Sequence, residues 1–110
     1  MEGVFIDTSA WYALISEADD FHSQARSAFD HLFKDKTLLH TSELVLSESM
    51  ALLTARFNKA LAIRFGGFVF ENPSVVIHAG LEDLSREAWL NFKETSARFS
   101  FVDCHSFALM

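Results

Sequence analysis

The chain has 110 residues, 9 Lys+Arg against 15 Asp+Glu for a net charge of −6, and 50% apolar residues with 12 Phe. A composition this apolar and aromatic excludes a disordered segment, and Cys104, with no second cysteine to pair with, excludes a disulfide scaffold. The acidic balance argues against a protein that coats duplex DNA through a basic face.

Val4-Phe5-Ile6 is a short apolar run and predicts a buried strand of a parallel sheet. Asp7-Thr8-Ser9 can cap a helix start, and a short helix is expected from Ala10 to Ser16. Asp19 and Asp20 restart a second helix, in which Phe21, Ala25, Ala28, Phe29 and Leu32 recur at helical spacing. Thr37 to His40 is the second candidate strand, and Thr41 or Ser42 caps a third helix reaching Phe57. Asn58 opens a fourth helical stretch. Gly66-Gly67 weaken it and Asn72-Pro73 stop it, because the residue before proline avoids the α region. Val75-Val76-Ile77 is a third strand of β-branched residues. Leu81, Leu84, Ala88 and Phe92 form the stripe of a fifth helix. Phe99 to Val102 is a short apolar run, and Asp103 starts a final helix.

Strands alternating with helices predict an α/β fold, a three-layer α/β/α arrangement around a central parallel sheet. One domain spans residues 1–110. The last turn, Phe107 to Met110, is apolar and carries no stop signal, so a C-terminal continuation with a last strand is expected. No basic leader follows Met1-Glu2-Gly3, and Arg64 breaks the longest apolar stretch, which falls short of the ~20 residues of a membrane span. A soluble cytoplasmic protein with no membrane partner is the expectation.

In a parallel sheet, ligands gather at the carboxyl ends of the strands. Asp7 and Asp103 each directly follow an apolar run. Either could be a helix cap or a ligand; Thr8 or Ser9 could cap in place of Asp7 and leave its carboxylate free. Glu48 falls, at ~100° per residue, within a stripe of Leu44, Ala51, Leu52 and Ala55 on the third helix. A second stripe is Leu46, Met50, Leu53 and Phe57, while Glu43 aligns with Ser47 and Thr54 on a solvent strip. A carboxylate among Leu and Ala is costly unless it is bound to a metal, ion-paired with an Arg or Lys, or set at the rim of the buried face. Three such carboxylates placed together repel one another without a cation. Mg²⁺ or Mn²⁺ is the hard cation that selects oxygen ligands, and its bound water can attack phosphorus.

Competing motifs are weak. Cys104-His105 lacks zinc spacing, and Gly66-Gly67 lacks the pattern of a phosphate loop. Trp11, Trp89 and the Phe set read as core. Arg56, Lys59 and Arg64 read as a solvated face or a groove for phosphates.

Phe5-Ile6-Asp7-Thr8-Ser9-Ala10-Trp11 resembles the opening of PIN-domain proteins, and Val45-Leu46-Ser47-Glu48 resembles the family's second acid on its third helix. Phe99 to Phe107, containing Asp103 and Ser106, is similar to its third-acid segment. The resemblance implies metal-dependent hydrolysis of RNA in an acidic pocket, with Asp7 and Asp103 holding Mg²⁺ or Mn²⁺ and Glu48 completing the catalytic set. It implies that Thr8 or Ser9 orients Asp7, and that Ser106 faces the pocket. It also implies a toxin of a toxin–antitoxin pair, neutralised by a small antitoxin protein, and a homodimer. The family commonly carries a further acid and strand after the third-acid helix, which puts the activity of this chain in question. Two other readings compete. An aspartate phosphotransferase would want an acid at position 9, where Ser9 stands. A PIN-like module would bind RNA or a protein partner without cutting.

Overall fold

Three short strands make one parallel sheet: β1 (Val4–Phe5), β2 (Leu39–Ser42) and β3 (Val75–His78), in the order β1-β2-β3. The computed structural model describes residues 2–79, 82–94 and 101–109. The helices between strands are α1 (Thr8–Ile15), α2 (His22–Lys34), α3 (Glu43–Arg56) and α4 (Lys59–Glu71). After β3 come α5 (Glu82–Glu94) and α6 (Phe101–Leu109), which pack on each other, with α6 also meeting α3. The α/β alternation around a parallel sheet is therefore as the sequence predicts. The differences lie at element ends. Thr41 and Ser42 extend β2, and Ser42 alone caps α3, accepting from the Val45 N–H. α4 runs through Gly66 and Gly67 without a break. Phe101 and Val102 are helical rather than extended, while residues 99–100 lie outside the described residues.

The sheet is tied together by side chains as well as ladders. His40 on β2 bonds the Glu2 carbonyl through Nε2 and meets His78 on β3 with Nδ1 2.8 Å from the partner's Nε2. A carbonyl only accepts, so Nε2 of His40 carries the hydrogen, and its Nδ1 takes a bond from His78. That chain of bonds ties β3 and β2 to Glu2, just before β1, and so holds the start of the segment that leads to Asp7. Gly3 fixes it too. Its φ is +105°, and a Cβ there would overlap the Leu38 carbonyl oxygen. Gly3→Ala therefore strains the backbone and pushes β1 off β2, and an unfolding free energy lowered by about 1–3 kcal/mol, read by urea denaturation, is the expected result.

The core lies where α1, α2, α3 and α4 meet the sheet: Ile6, Trp11, Phe29, Leu39, Val45, Leu46, Leu53, Phe65 and Val69. Trp11 is its centre, stacked on Phe29 at 5.4 Å and edge-on to Phe65 at 5.5 Å. Its indole N–H donates to Thr41 Oγ1 at 3.2 Å, and the Thr41 hydroxyl donates to the Ile6 carbonyl at 3.1 Å. The indole is thus both buried and hydrogen-bonded, which is what a buried Trp requires.

Two expectations about the core are corrected. Trp89 is half exposed, with Lys93 Nζ 5.5 Å above its ring and Phe92 stacked beside it. Among the phenylalanines, Phe21, Phe57, Phe68, Phe70, Phe92 and Phe107 are exposed. Aromatic residues on a small domain exceed what its interior can hold, and surface atoms are largely apolar in any case.

Candidate active site

Asp7 follows β1 and is itself the N-cap of α1, with extended backbone at φ −92° and ψ 179°. Its Oδ1 accepts the Ala10 N–H at 2.9 Å and the Ser9 hydroxyl at 2.9 Å. The alternative, in which Thr8 or Ser9 caps and leaves Asp7 free, is not what forms. Both bonds fall on one oxygen, so capping does not consume the carboxylate: Oδ2 remains for a ligand. Ser9 is the hydroxyl that orients Asp7. Thr8 Oγ1 is buried with no hydrogen-bond partner among the described residues.

Glu48, Leu52 and Arg56 stand four residues apart and form one face of α3. Glu48 is exposed, as are Ala51 and Ala55, while Leu44 and Leu52 are half-buried. The expectation of a carboxylate sunk in an apolar face is therefore corrected. The buried side of α3 is Val45, Leu46, Ser49 and Leu53, and the Glu48 face is open. Hydropathy of the neighbours misled, because Leu and Ala there line a depression rather than a core. No ion pair holds Glu48 among the described residues, and Arg56 instead lies over the Tyr12 ring, 5.6 Å from its centroid.

Asp103 is the third residue of α6, half-buried in its first turn, where the helix dipole favours a negative charge. Asp7, Glu48 and Asp103 line one cavity of about 310 Å³, together with Thr8, Ser9, Tyr12, Asp19, Leu52 and Arg56. Four carboxylates and one guanidinium thus share a small depression at the end of β1. Ser106 is buried and does not line it, contrary to expectation. Cys104 is buried and unpaired. His105 is buried too, its ring nitrogens without partners among the described residues, and loss of hydration pushes its pKa below the usual 6.5. Tyr12 and Asp19 were not singled out from sequence. Tyr12 lies one turn after Thr8, a spacing that does place it on the same face. Asp19 has no sequence signal: its Oδ1 accepts the Phe21 N–H at 2.9 Å, which reads as local turn chemistry.

Among the described residues, no three His, Cys, Asp or Glu side chains are grouped tightly enough to cage one metal ion. That excludes, for those residues, a zinc-like site with all ligands from protein. It suits Mg²⁺ or Mn²⁺, which bind one or two carboxylates and keep several waters. Oxygen-only donors, the open Asp7 Oδ2 and the orphaned Thr8 hydroxyl fit such a hydrated ion.

A parallel α/β sheet with carboxylates gathered beyond the end of its first strand places the chain in a family: it belongs to the PIN domain family, whose profile matches residues 4–110. The relatives sharpen this. The chain is similar to the 23S rRNA-specific endonuclease VapC20 of Mycobacterium tuberculosis strains CDC 1551 / Oshkosh and ATCC 25618 / H37Rv. Identity is 32% over 109 residues, covering 97% of this chain and 79% of the relative. It is also similar to a crystal structure of Mycobacterium tuberculosis VapC20, described as a Sarcin-Ricin loop cleaving toxin. The TM-score is 0.84 at 30% identity, covering 97% of this chain and 80% of that one.

Proposed function

We propose that this protein is a metal-dependent endoribonuclease that hydrolyses RNA phosphodiester bonds, and that it is the toxin of a toxin–antitoxin pair. The observation that carries the reading is the shared cavity: Asp7, Glu48 and Asp103, distant in sequence, line it together. Its similarity to an rRNA-specific endonuclease supports RNA as the substrate class. A small antitoxin protein and a second copy of the chain are the proposed partners. Among the described residues no helix is long and apolar enough to cross a membrane, and the proposed place of action is the cytoplasm.

Asp7 and Asp103 would hold Mg²⁺ or Mn²⁺. Such an ion supplies acidity to water and positive charge beside phosphorus. Ser9 holds the Asp7 carboxylate in one orientation through its 2.9 Å bond. Ordering by an outer hydroxyl is how ligand geometry is kept. Glu48, exposed and lining the cavity, would complete the acidic set and could accept a proton from a water there. Thr8 Oγ1, lacking a partner among the described residues, can bond a water in the cavity.

Purified protein incubated with labelled single-stranded and stem-loop RNA tests this. Cleavage is expected with Mg²⁺ or Mn²⁺ and none with EDTA. Intact RNA under every condition would favour the second reading, a PIN module that binds RNA or a protein without cutting.

A further inference from the structure

The carboxylate cavity adjoins a second, of about 320 Å³, lined by Tyr12, Ser16, Ala18, Asp19, Asp20 and Arg56. Tyr12, Asp19 and Arg56 belong to both, so the two make one trough with Arg56 at the junction. Among the described residues, Arg56 is the one cation on either lining. It is surrounded by acids, yet forms no ion pair with them among the described residues. Its guanidinium instead rests over the Tyr12 ring, and that ring packs against Phe57 at 6.2 Å. A stacked guanidinium keeps its in-plane N–H donors available, and their fork matches a phosphate in two-point geometry. An anionic backbone entering a trough of carboxylates is repelled unless such a cation meets it.

We infer that Arg56, braced by Tyr12, grips a phosphate of the RNA that flanks the one attacked. The position follows from the two cavities: Arg56 stands about 12 Å of helix rise beyond Glu48 and lines the adjoining cavity that Glu48 does not, which points its grip to a neighbouring phosphate. Arg56 is thus a substrate-binding residue and not a catalytic one. The inference rests on the nuclease reading for its substrate, and it predicts a defect in binding rather than in chemistry.

The test measures a fluorescent single-stranded RNA by anisotropy in EDTA across a salt series, and cleavage kinetics in Mn²⁺. Arg56→Ala is expected to weaken binding roughly 10-fold and to lower the log–log salt slope by about 0.7, the share of one phosphate. KM should rise by a similar factor with kcat within about twofold. Arg56→Lys restores the salt slope and only part of the affinity, since lysine lacks the fork. Tyr12→Leu, which removes the ring under the guanidinium, is expected to follow Arg56→Ala. Circular dichroism and urea midpoints check that each variant is folded. If the parent cuts RNA but Arg56→Ala keeps its affinity and salt slope, the Arg56 grip is wrong and the nuclease reading stands. If the parent binds RNA with an Arg56-dependent slope and does not cut, the grip stands and the nuclease reading falls. If the parent neither binds nor cuts, both fall.

Discussion

Asp7→Asn is expected to slow RNA cleavage by about 100-fold or more and to leave the fold intact. The substitution separates the two roles that meet at this residue. Asn is as good an N-cap as Asp, so the 2.9 Å bond to the Ala10 N–H is retained and α1 starts where it did. What is lost is the negative charge and one strong oxygen ligand. Residues that merely orient a metal ligand change affinity or activity by about 10–100-fold, and a direct ligand contributes more. Asp7→Ala is the informative companion, since it removes the cap as well and adds about 1 kcal/mol of destabilisation. Initial cleavage rates with Mn²⁺, set beside urea midpoints, read the two effects separately. An Asp7→Asn protein that cuts at the parent rate removes Asp7 from the metal site.

Trp11→Ala is expected to lower unfolding free energy by about 3–5 kcal/mol, the range for large aromatic truncations in a core. Total stability of a domain is only about 5–15 kcal/mol, so this variant sits close to unfolding. The indole is wholly buried and touches rings from two other helices, Phe29 of α2 and Phe65 of α4. Removing it leaves a void between them and takes the N–H from Thr41. Trp11→Phe keeps most of the apolar contact and loses only the bond, so its cost is about 1–2 kcal/mol. Urea denaturation of the two variants, with unchanged slope, distinguishes packing from hydrogen bonding. Equal effects in both would place the weight on the indole N–H.

The strands and helices were legible because each carries its own local signal. β-Branched Val75-Val76-Ile77, the Asn58 cap and the Asn72-Pro73 stop act within a few residues of themselves, and β3 and α4 fall where they point. Gly66-Gly67 weaken α4 without interrupting it: their cost to a helix, about 1 kcal/mol each, is outweighed by packing, since Gly66 is buried with Met50 against it. Asp7 and Asp103 were legible from position alone, each just after an apolar run. Glu48 was picked for a reason that fails, since it is exposed, yet it does face the cavity. Helical periodicity fixes which residues share a face and is silent on whether that face is covered. Asp19 was illegible, because what brings it to the cavity is the turn between α1 and α2 and not any pattern along the chain.

Asp7 and Asp103 are expected to hold one divalent ion, with Glu48 beside it in the same cavity. Calorimetric titration of Mn²⁺ into the parent, Asp7→Asn, Glu48→Gln and Asp103→Asn, without RNA, tests this directly. One Mn²⁺ per chain is expected in the parent. Affinity should fall at least ~10-fold in the two Asn variants, and less in Glu48→Gln. Unchanged Mn²⁺ affinity in all three variants, or no binding by the parent, would contradict it.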